Sequence, residues 1–412
     1  MQSQKTLPFI AHSVASPARP RSAKTVLRVL SHLKHGHLTV KLPDGSVQCY
    51  GAAQDRVNEL SETLCATIDI HSWGVFPAAL KSGDIGFAEA YLAGEWTSPD
   101  LTSLLHVLLL NRHAIETVFY GTWYGRLLYR LNHLLNHNSK SNSKKNIHAH
   151  YDLGNDFYRL WLDATMNYSS AWFGGNFTQS LSDAQTAKVN RALDQVRLRP
   201  GQRLLEIGCG WGALCEEAVA RRGAHAVGVT LSEAQLEYAK ARVPSADLRL
   251  QDYRDIADPP FDAICSIEML EAVGQSYWPG YFQTLHRMLK PGGRACVQTI
   301  VIADELFDRY IASTDFIQQY IFPGGCLPSP AKFRAAAKQA GLVVEESFSF
   351  GKDYAETLRR WRQAFTAQLL QVQQLAFDER FIRIWMFYLC YCEAAFDGEN
   401  TDVVQFTLKR PL

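Results

Sequence analysis

One stretch of this 412-residue chain decides its fold, and it reads Pro200-Gly201-Gln202-Arg203-Leu204-Leu205-Glu206-Ile207-Gly208-Cys209-Gly210-Trp211-Gly212. A short, mostly apolar strand runs into three closely spaced glycines, and residues 213–218 then begin a helix. Glycine lets the backbone turn sharply and approach a ligand without a Cβ in the way. Open α/β sheets bind ligands where their parallel strands end. The stretch therefore predicts a ligand-binding turn.

The spacing of the glycines narrows the class of ligand. Gly208, Gly210 and Gly212 form a G-x-G-x-G pattern, which is neither the dinucleotide fingerprint nor the phosphate-binding loop of nucleotide hydrolases. A dinucleotide and a nucleoside triphosphate are therefore disfavoured. Glu206, placed just before the glycines, suits a ligand with a cationic amino-acid portion.

Further strands follow in regular alternation with helices. Candidate strands cover residues 226–230, 248–250 and 261–267, and a turn at residues 289–294 precedes a fifth. Ser232 is a plausible N-cap for the helix after the second strand. The alternation predicts a mostly parallel, Rossmann-like α/β sheet.

The glycine turn and the succession of strands resemble the class I methyltransferases that bind S-adenosylmethionine. The resemblance implies that cofactor. Thr230 stands where such enzymes often carry an acid for the ribose, so Ser232 and Gln235 would have to supply polar contacts. Gln251 and Asp252, after the third strand, are well placed for the adenine edge.

Four segments make the resemblance more specific, at residues 149–158, 166–173, 268–274 and 320–328. Together they resemble the cyclopropane-fatty-acyl-phospholipid synthase family, which adds a methylene group to double bonds of phospholipid acyl chains. The similarity runs from about residue 148 to the C-terminus and, more weakly, includes the N-terminal region, which in that family helps to engage lipid.

The family resemblance assigns roles to individual residues. Tyr168 and Ser169 match positions at the methionine end of the cofactor, beside Gly208, Gly210, Thr230 and Gln235. The family also holds a bicarbonate ion as general base, and its holders correspond to Ser170, Glu271, Gln298, Ile300 (through its backbone) and Tyr320. Cys392 falls on a cysteine regarded in the family as an active-site position, although packing is the favoured interpretation of this thiol. No metal site is predicted.

Three departures from the common bacterial pattern fall on this base site. Ser170 replaces a cysteine, Gln298 replaces a histidine, and Ala272 replaces the histidine that often follows the glutamate. A hydroxyl and an amide can still hydrogen-bond an oxyanion. Cyclopropane formation is therefore the leading hypothesis. The alternatives are alkylation of an unsaturated or dienoic chain without ring closure, and a non-catalytic lipid-binding protein.

The rest of the chain predicts a flexible leader at residues 1–20, a small α+β domain at 21–110, a helical segment and linker at 111–147, and the methyltransferase domain at 148–412. A net charge of +1 makes a nucleic-acid partner an unlikely default. Basic residues concentrate in residues 1–35 and 112–150, which fits either solvated segments or attraction to anionic lipid headgroups.

Cysteine usage and hydropathy bear on location. Nine cysteines without a C-x-x-C pair fit a reducing cytosol, and the apolar run at residues 107–110 is far too short to span a bilayer. We therefore expect a cytoplasmic enzyme that associates peripherally with membrane and acts on unsaturated phospholipid at its surface. The sequence leaves a homodimer open.

Overall fold

The computed structural model describes residues 19–51, 64–115 and 153–412. Most of the predicted leader, most of the helical segment and linker at 111–147, and the first residues of the motif at 149–158 lie outside these ranges. The described residues form two β-sheets flanked by helices.

The smaller sheet is built from the N-terminal residues in the order β2-β1-β3-β4. Its strands are β1 (His37–Lys41), β2 (Val47–Gly51), β3 (Cys65–Ile70) and β4 (Trp96–Thr97). Strands β1 and β2 are antiparallel, and Gly45 in the turn between them has a φ of +80°. The helices are α1 (Arg21–Leu30), α2 (Val75–Leu92) and α3 (Leu101–Leu110). Helix α2 has a kink at Gly83.

The larger sheet has the order β10-β11-β9-β8-β5-β6-β7. Its strands are β5 (Arg203–Ile207), β6 (His225–Thr230), β7 (Asp247–Leu250), β8 (Phe261–Ile267), β9 (Leu289–Ile302), β10 (Val343–Ser349) and β11 (Thr401–Lys409). Strands β5 to β9 run parallel, whereas β11 is antiparallel to both β9 and β10. The predicted mostly parallel sheet is confirmed, and the carboxyl ends of its parallel strands share one edge.

Helices connect and cover these strands. They are α4 (Asn155–Arg159), α5 (Leu181–Gln195), α6 (Ala213–Ala220), α7 (Glu233–Arg242), α8 (Trp278–Met288), α9 (Asp304–Ala312), α10 (Phe316–Tyr320), α11 (Pro330–Gln339), α12 (Gly351–Ala367), α13 (Leu369–Gln374) and α14 (Glu379–Asp397). Ser232 caps α7, because its hydroxyl accepts a hydrogen bond from the Gln235 amide at 3.3 Å.

A continuous apolar core joins the smaller sheet to the C-terminal helices. Trp96, Leu104 and Phe387 belong to the same cluster of buried side chains, and the rings of Tyr91 and Phe387 lie 5.7 Å apart. Helix α14 therefore packs on α2 and α3 of the N-terminal region, and it also contacts β11 of the large sheet. Within the three described ranges, no helix combines the length and apolar character that a membrane crossing requires.

Candidate active site

A first cavity, of about 160 Å³, opens at the carboxyl ends of β5, β6 and β7. The residues predicted to bind the cofactor line it, with one exception; they are Tyr168, Ser169, Glu206, Gly208, Gly210, Thr230, Gln235, Gln251 and Asp252. The exception is Ser232, whose side chain caps α7. Ser232 therefore shapes the cavity by fixing the start of the helix that carries Gln235.

The glycine turn has the geometry that its sequence predicts. Gly208 has a φ of +83°, and a Cβ there would lie 2.9 Å from the Met269 Cγ atom. The amides of Gly208 and Cys209 both donate to the carbonyl of Val229 on β6, at 2.9 and 3.0 Å. A side chain at position 208 would therefore strain the backbone and displace Met269, which also lines the cavity.

Glu206 supplies a buried carboxylate to this cavity. Its side chain accepts a hydrogen bond from the Cys215 thiol at 3.0 Å, and burial raises its pKa to about 7. A cationic group placed beside it would favour the ionised form and bring the pKa down again. The site therefore fits a ligand that carries a positively charged ammonium group.

The polar groups expected to contact the rest of the cofactor are already bonded locally. The Thr230 hydroxyl donates to the Gln235 side-chain oxygen at 3.1 Å. Asp252 forms an ion pair with Arg254 at 2.5 Å. Arg254 also lines the cavity, so the part of the cavity where adenine was expected carries an ion pair rather than a single acid.

A second cavity, of about 260 Å³, adjoins the first. Both linings include Tyr168, Glu268 and Ala272, which we call the junction residues. Apolar side chains form much of the second lining, among them Ile85, Leu109, Ile302, Leu306, Ile317 and Phe322. Helices α2 and α3 of the N-terminal region thus wall a cavity that begins at the methyltransferase sheet.

Glu268 places its carboxylate at this junction within a set of hydrogen-bond donors. Its Oε1 atom accepts from the Ser170 amide at 2.8 Å and from the Gln298 side-chain amide at 2.7 Å. Its Oε2 atom accepts from the Tyr354 hydroxyl at 2.6 Å. Glu268 begins the motif at residues 268–274, but the family resemblance assigned it no role. The signal was present, since Glu268 is an acid that directly follows a buried parallel strand.

Glu271 lies on the next turn and has a different environment. Its Oε1 atom accepts from the Thr299 hydroxyl at 2.9 Å and from the Ile300 amide at 2.5 Å. Its Oε2 atom is buried and has no hydrogen-bond partner among the residues that the structure describes. Burial and the nearby charge of Glu268 raise the pKa of Glu271 to about 8.

The two carboxylates therefore divide their roles. Burial raises the pKa of Glu268 as well, but the charge of the buried Lys188 and three hydrogen-bond donors oppose that rise. A pair of acids whose surroundings differ in this way separates into one proton holder and one ionised partner. Three donors and the charge of Lys188 favour the ionised form of Glu268, whereas the Glu271 Oε2 atom, which has no partner among the described residues, favours the protonated form of Glu271.

Three of the other residues predicted for the base site contact these carboxylates, and one does not. Ser170 and Gln298 contact Glu268, and Ile300 contacts Glu271 through its backbone. The Ser170 hydroxyl itself donates to the Ala171 carbonyl at 2.9 Å. Tyr320 lies elsewhere: its hydroxyl donates to Glu89 at 2.7 Å, and among the described residues it belongs to the lining of neither cavity.

Tyr354 and Cys392 also line the second cavity. Tyr354, which the sequence analysis did not single out, is the tyrosine whose hydroxyl reaches the junction. Cys392 lines the same cavity, and burial raises the pKa of its thiol. A raised pKa disfavours the thiolate, which is the nucleophilic form.

The parallel sheet, the glycine turn and the acid before it define an S-adenosylmethionine-dependent methyltransferase. Comparison with known proteins gives the family: the model described as mycolic acid cyclopropane synthetase matches residues 138–406, and the chain belongs to this family. It is an enzyme of the cyclopropane-fatty-acyl-phospholipid synthase type, with S-adenosylmethionine as its cofactor.

Several relatives share much of the chain. Tuberculostearic acid methyltransferase UfaA1 of Mycobacterium tuberculosis is 36% identical over 422 residues, 98% of this chain and 95% of that protein. Cyclopropane-fatty-acyl-phospholipid synthase of Escherichia coli is 33% identical over 347 residues, 84% of this chain and 88% of that protein. The crystal structure of mycolic acid cyclopropane synthase CmaA1 complexed with SAH and CTAB has a TM-score of 0.60 and 34% identity, and covers 65% of this chain and 98% of that one.

Proposed function

We propose that this enzyme transfers a one-carbon unit from S-adenosylmethionine to the double bond of an unsaturated phospholipid acyl chain and closes a cyclopropane ring. One observation carries the proposal: the first cavity and the largely apolar second cavity meet at the junction residues. An acyl chain in the second cavity would bring its double bond to the methyl donor with little water present.

The residues of the chain divide the work between the two cavities. Bound S-adenosylmethionine supplies an electrophilic methyl group. The glycine turn and Glu206 hold and orient the cofactor, while the apolar wall of the second cavity excludes water from a cationic acyl chain. The carboxylates at positions 268 and 271 lie where a proton must leave that chain. Ring closure results when the proton comes from the transferred carbon.

A second product is favoured by one specific observation. The relative that covers 98% of this chain bears the name of a methyltransferase, whereas the Escherichia coli relative bears that of a cyclopropane synthase. Loss of a proton from a neighbouring carbon of the acyl chain would leave an alkene in place of a ring. The alternative product is therefore an alkylated chain that keeps a double bond, whereas ring closure removes the double bond.

Lipid analysis of an expressing host tests both products. Mass spectrometry should show acyl chains heavier by one CH₂ group, and proton NMR should show that olefinic signals fall in proportion. If the olefinic signals are retained while the mass gain is the same, the product is the alkylated alkene and not the cyclopropane. The variant Gly208→Ala, which places a Cβ against Met269, is the matched control that should give no mass gain. No mass gain in the wild type would refute the proposed function.

Positive charge at two places supports the proposal that the substrate is a phospholipid at a membrane surface. Arg112 belongs to the lining of the second cavity, where a phosphate headgroup could meet it. Helix α1 buries Ala23, Val26, Leu27 and Leu30 and exposes Arg21, Lys24 and Arg28. Basic side chains near an anionic bilayer each contribute about 1 kcal/mol of attraction.

Vesicle sedimentation tests this surface. The protein should bind vesicles that contain phosphatidylglycerol and release them at high salt, and it should bind neutral phosphatidylcholine vesicles weakly. Replacing Lys24 and Arg28 together by Gln should weaken binding to anionic vesicles, while methyl transfer to lipid dispersed in detergent should be unchanged. Equal binding to both kinds of vesicle would refute the role of charge.

A further inference from the structure

The bicarbonate ion that the family resemblance implies does not fit the base site of this chain. Among its expected holders, the Ser170 backbone amide and the Gln298 side chain donate to Glu268, and the Ser170 hydroxyl donates to the Ala171 carbonyl. The Ile300 amide donates to Glu271, and the Tyr320 hydroxyl donates to Glu89. The amide, hydroxyl and phenol donors among these holders thus already have acceptors within the protein. A further anion would also meet the charge of Glu268 at close range, and like charges in a buried site are strongly disfavoured.

We propose that the Glu268 carboxylate is itself the general base, so that turnover needs no bicarbonate. This inference rests on the proposed function, because it names the base for that reaction. Glu268 is a junction residue, so its carboxylate borders both the cavity of the methyl donor and the cavity proposed for the acyl chain.

The backbone supports a specific role for this side chain. Glu268 has a φ of +49°, a left-handed conformation that glycine adopts freely and other residues adopt at a cost. Strained backbone of this kind is concentrated at functional sites. The three donors hold the carboxylate in a fixed orientation, so it does not need to reorganise when positive charge develops beside it.

The step balances without any additional reactant. The π electrons of the alkene form a bond to the transferred methyl carbon as the sulfur–carbon bond breaks, which leaves a neutral thioether and a cationic acyl chain. Glu268 then takes one proton from that chain, and the electron pair of the broken C–H bond forms the new carbon–carbon bond. Glu268 becomes a neutral acid and must release its proton to solvent before the next turnover.

The first test is the dependence of wild-type turnover on bicarbonate. Methyl transfer to unsaturated phospholipid is measured in buffer freed of carbon dioxide and again with added bicarbonate. We expect equal rates. A rate that collapses in the depleted buffer and recovers on addition would overturn the proposal. An absence of any lipid product in both buffers would instead refute the proposed function, so the two failures are distinguishable.

Two isosteric variants test the residue. Glu268→Gln should lower turnover by at least about 100-fold, the range typical of a lost general base, while affinity for S-adenosylmethionine, measured by calorimetry, stays within about threefold. Glu345→Gln is the matched control and should keep wild-type turnover, because this exposed carboxylate pairs with Arg294 at 2.7 Å on β10, outside the described linings of both cavities. Glu268→Gln with a third or more of wild-type turnover would overturn the proposal.

A third variant keeps the inference falsifiable if Glu268→Gln fails to fold. Glu268→Gly suits the left-handed backbone and leaves the Ser170, Gln298 and Tyr354 donors around an empty space of carboxylate size. Its turnover should be low in depleted buffer and should rise, with saturation, when bicarbonate or formate is added. The wild type should show no such rise. Turnover of Glu268→Gly equal to wild type in depleted buffer would overturn the assignment.

Discussion

Replacing Tyr354 by Phe tests whether its hydroxyl sets the charge of Glu268. The hydroxyl donates to the Glu268 Oε2 atom at 2.6 Å, and burial holds the pKa of Tyr354 well above its usual value. The tyrosine therefore remains a donor throughout the working pH range. Hydrogen bonds to the ionised form lower the pKa of a carboxyl group, so their loss should raise the pKa of Glu268.

The size of the effect follows from the charge on the acceptor. A hydrogen bond to a charged group contributes about 1.5–3 kcal/mol, and one pKa unit corresponds to about 1.4 kcal/mol. The pKa of Glu268 should therefore rise by about 1–2 units. On the acidic side of the pH–rate profile, turnover should fall by about 10–100-fold. At higher pH most of the rate should return, because Glu268 is again ionised.

The assay is the initial rate of methyl transfer to unsaturated phospholipid vesicles, measured across pH. Tyr320→Phe is the matched control, because its hydroxyl donates to Glu89 at 2.7 Å and it lies outside the described linings of both cavities. Its pH–rate profile should match that of the wild type. An unshifted profile in Tyr354→Phe, or an equal shift in Tyr320→Phe, would refute this reasoning.

Three further changes have distinct expected outcomes. Gly208→Ala should abolish measurable cofactor binding in calorimetry, because the new Cβ would lie 2.9 Å from Met269 Cγ and the left-handed backbone costs about 1–2 kcal/mol; retained affinity would contradict the geometry. Cys392→Ala should keep turnover within about threefold, because burial raises the pKa of the thiol; loss of all activity would make Cys392 a reacting group. Burial raises the pKa of Glu271 from 4.5 to about 8, so protonation of this side chain favours the folded state. This contribution to stability is complete below pH 4.5 and is lost as the pH rises through 8. Urea unfolding should therefore show a smaller decline in stability between these pH values for Glu271→Gln than for the wild type, and equal declines would contradict the shift.

Local sequence was sufficient for the cofactor half of the protein. The strand, the glycine turn and the following helix occupy consecutive residues, and φ angles of +83° at Gly208 and +50° at Gly210 show why glycine stands at these positions. The cap at Ser232 likewise depends on an amide three residues away. Each of these features is decided by contacts within a few residues, and the alternation of strands with helices then indicates a mostly parallel sheet.

Tertiary structure decided the base site. Glu268 receives hydrogen bonds from residues 98, 30 and 86 positions away in the chain, namely Ser170, Gln298 and Tyr354. The sequence pattern pointed to Tyr320, which occurs in a recognisable motif, yet the folded chain places the Tyr354 hydroxyl at the junction. No periodicity or local spacing encodes such a meeting of a side chain on β9, a backbone amide in a loop and a side chain on α12.

The sequence by itself determined the parallel sheet, the cofactor turn and the chemical class of its ligand, because short-range backbone geometry controls all three. Only the tertiary structure decided which carboxylate receives three hydrogen-bond donors and that α2 and α3 wall the second cavity. The physical reason is that the charge of a buried acid depends on the donors, cations and acids packed around it. Those neighbours come from distant parts of the chain and meet only when the core closes.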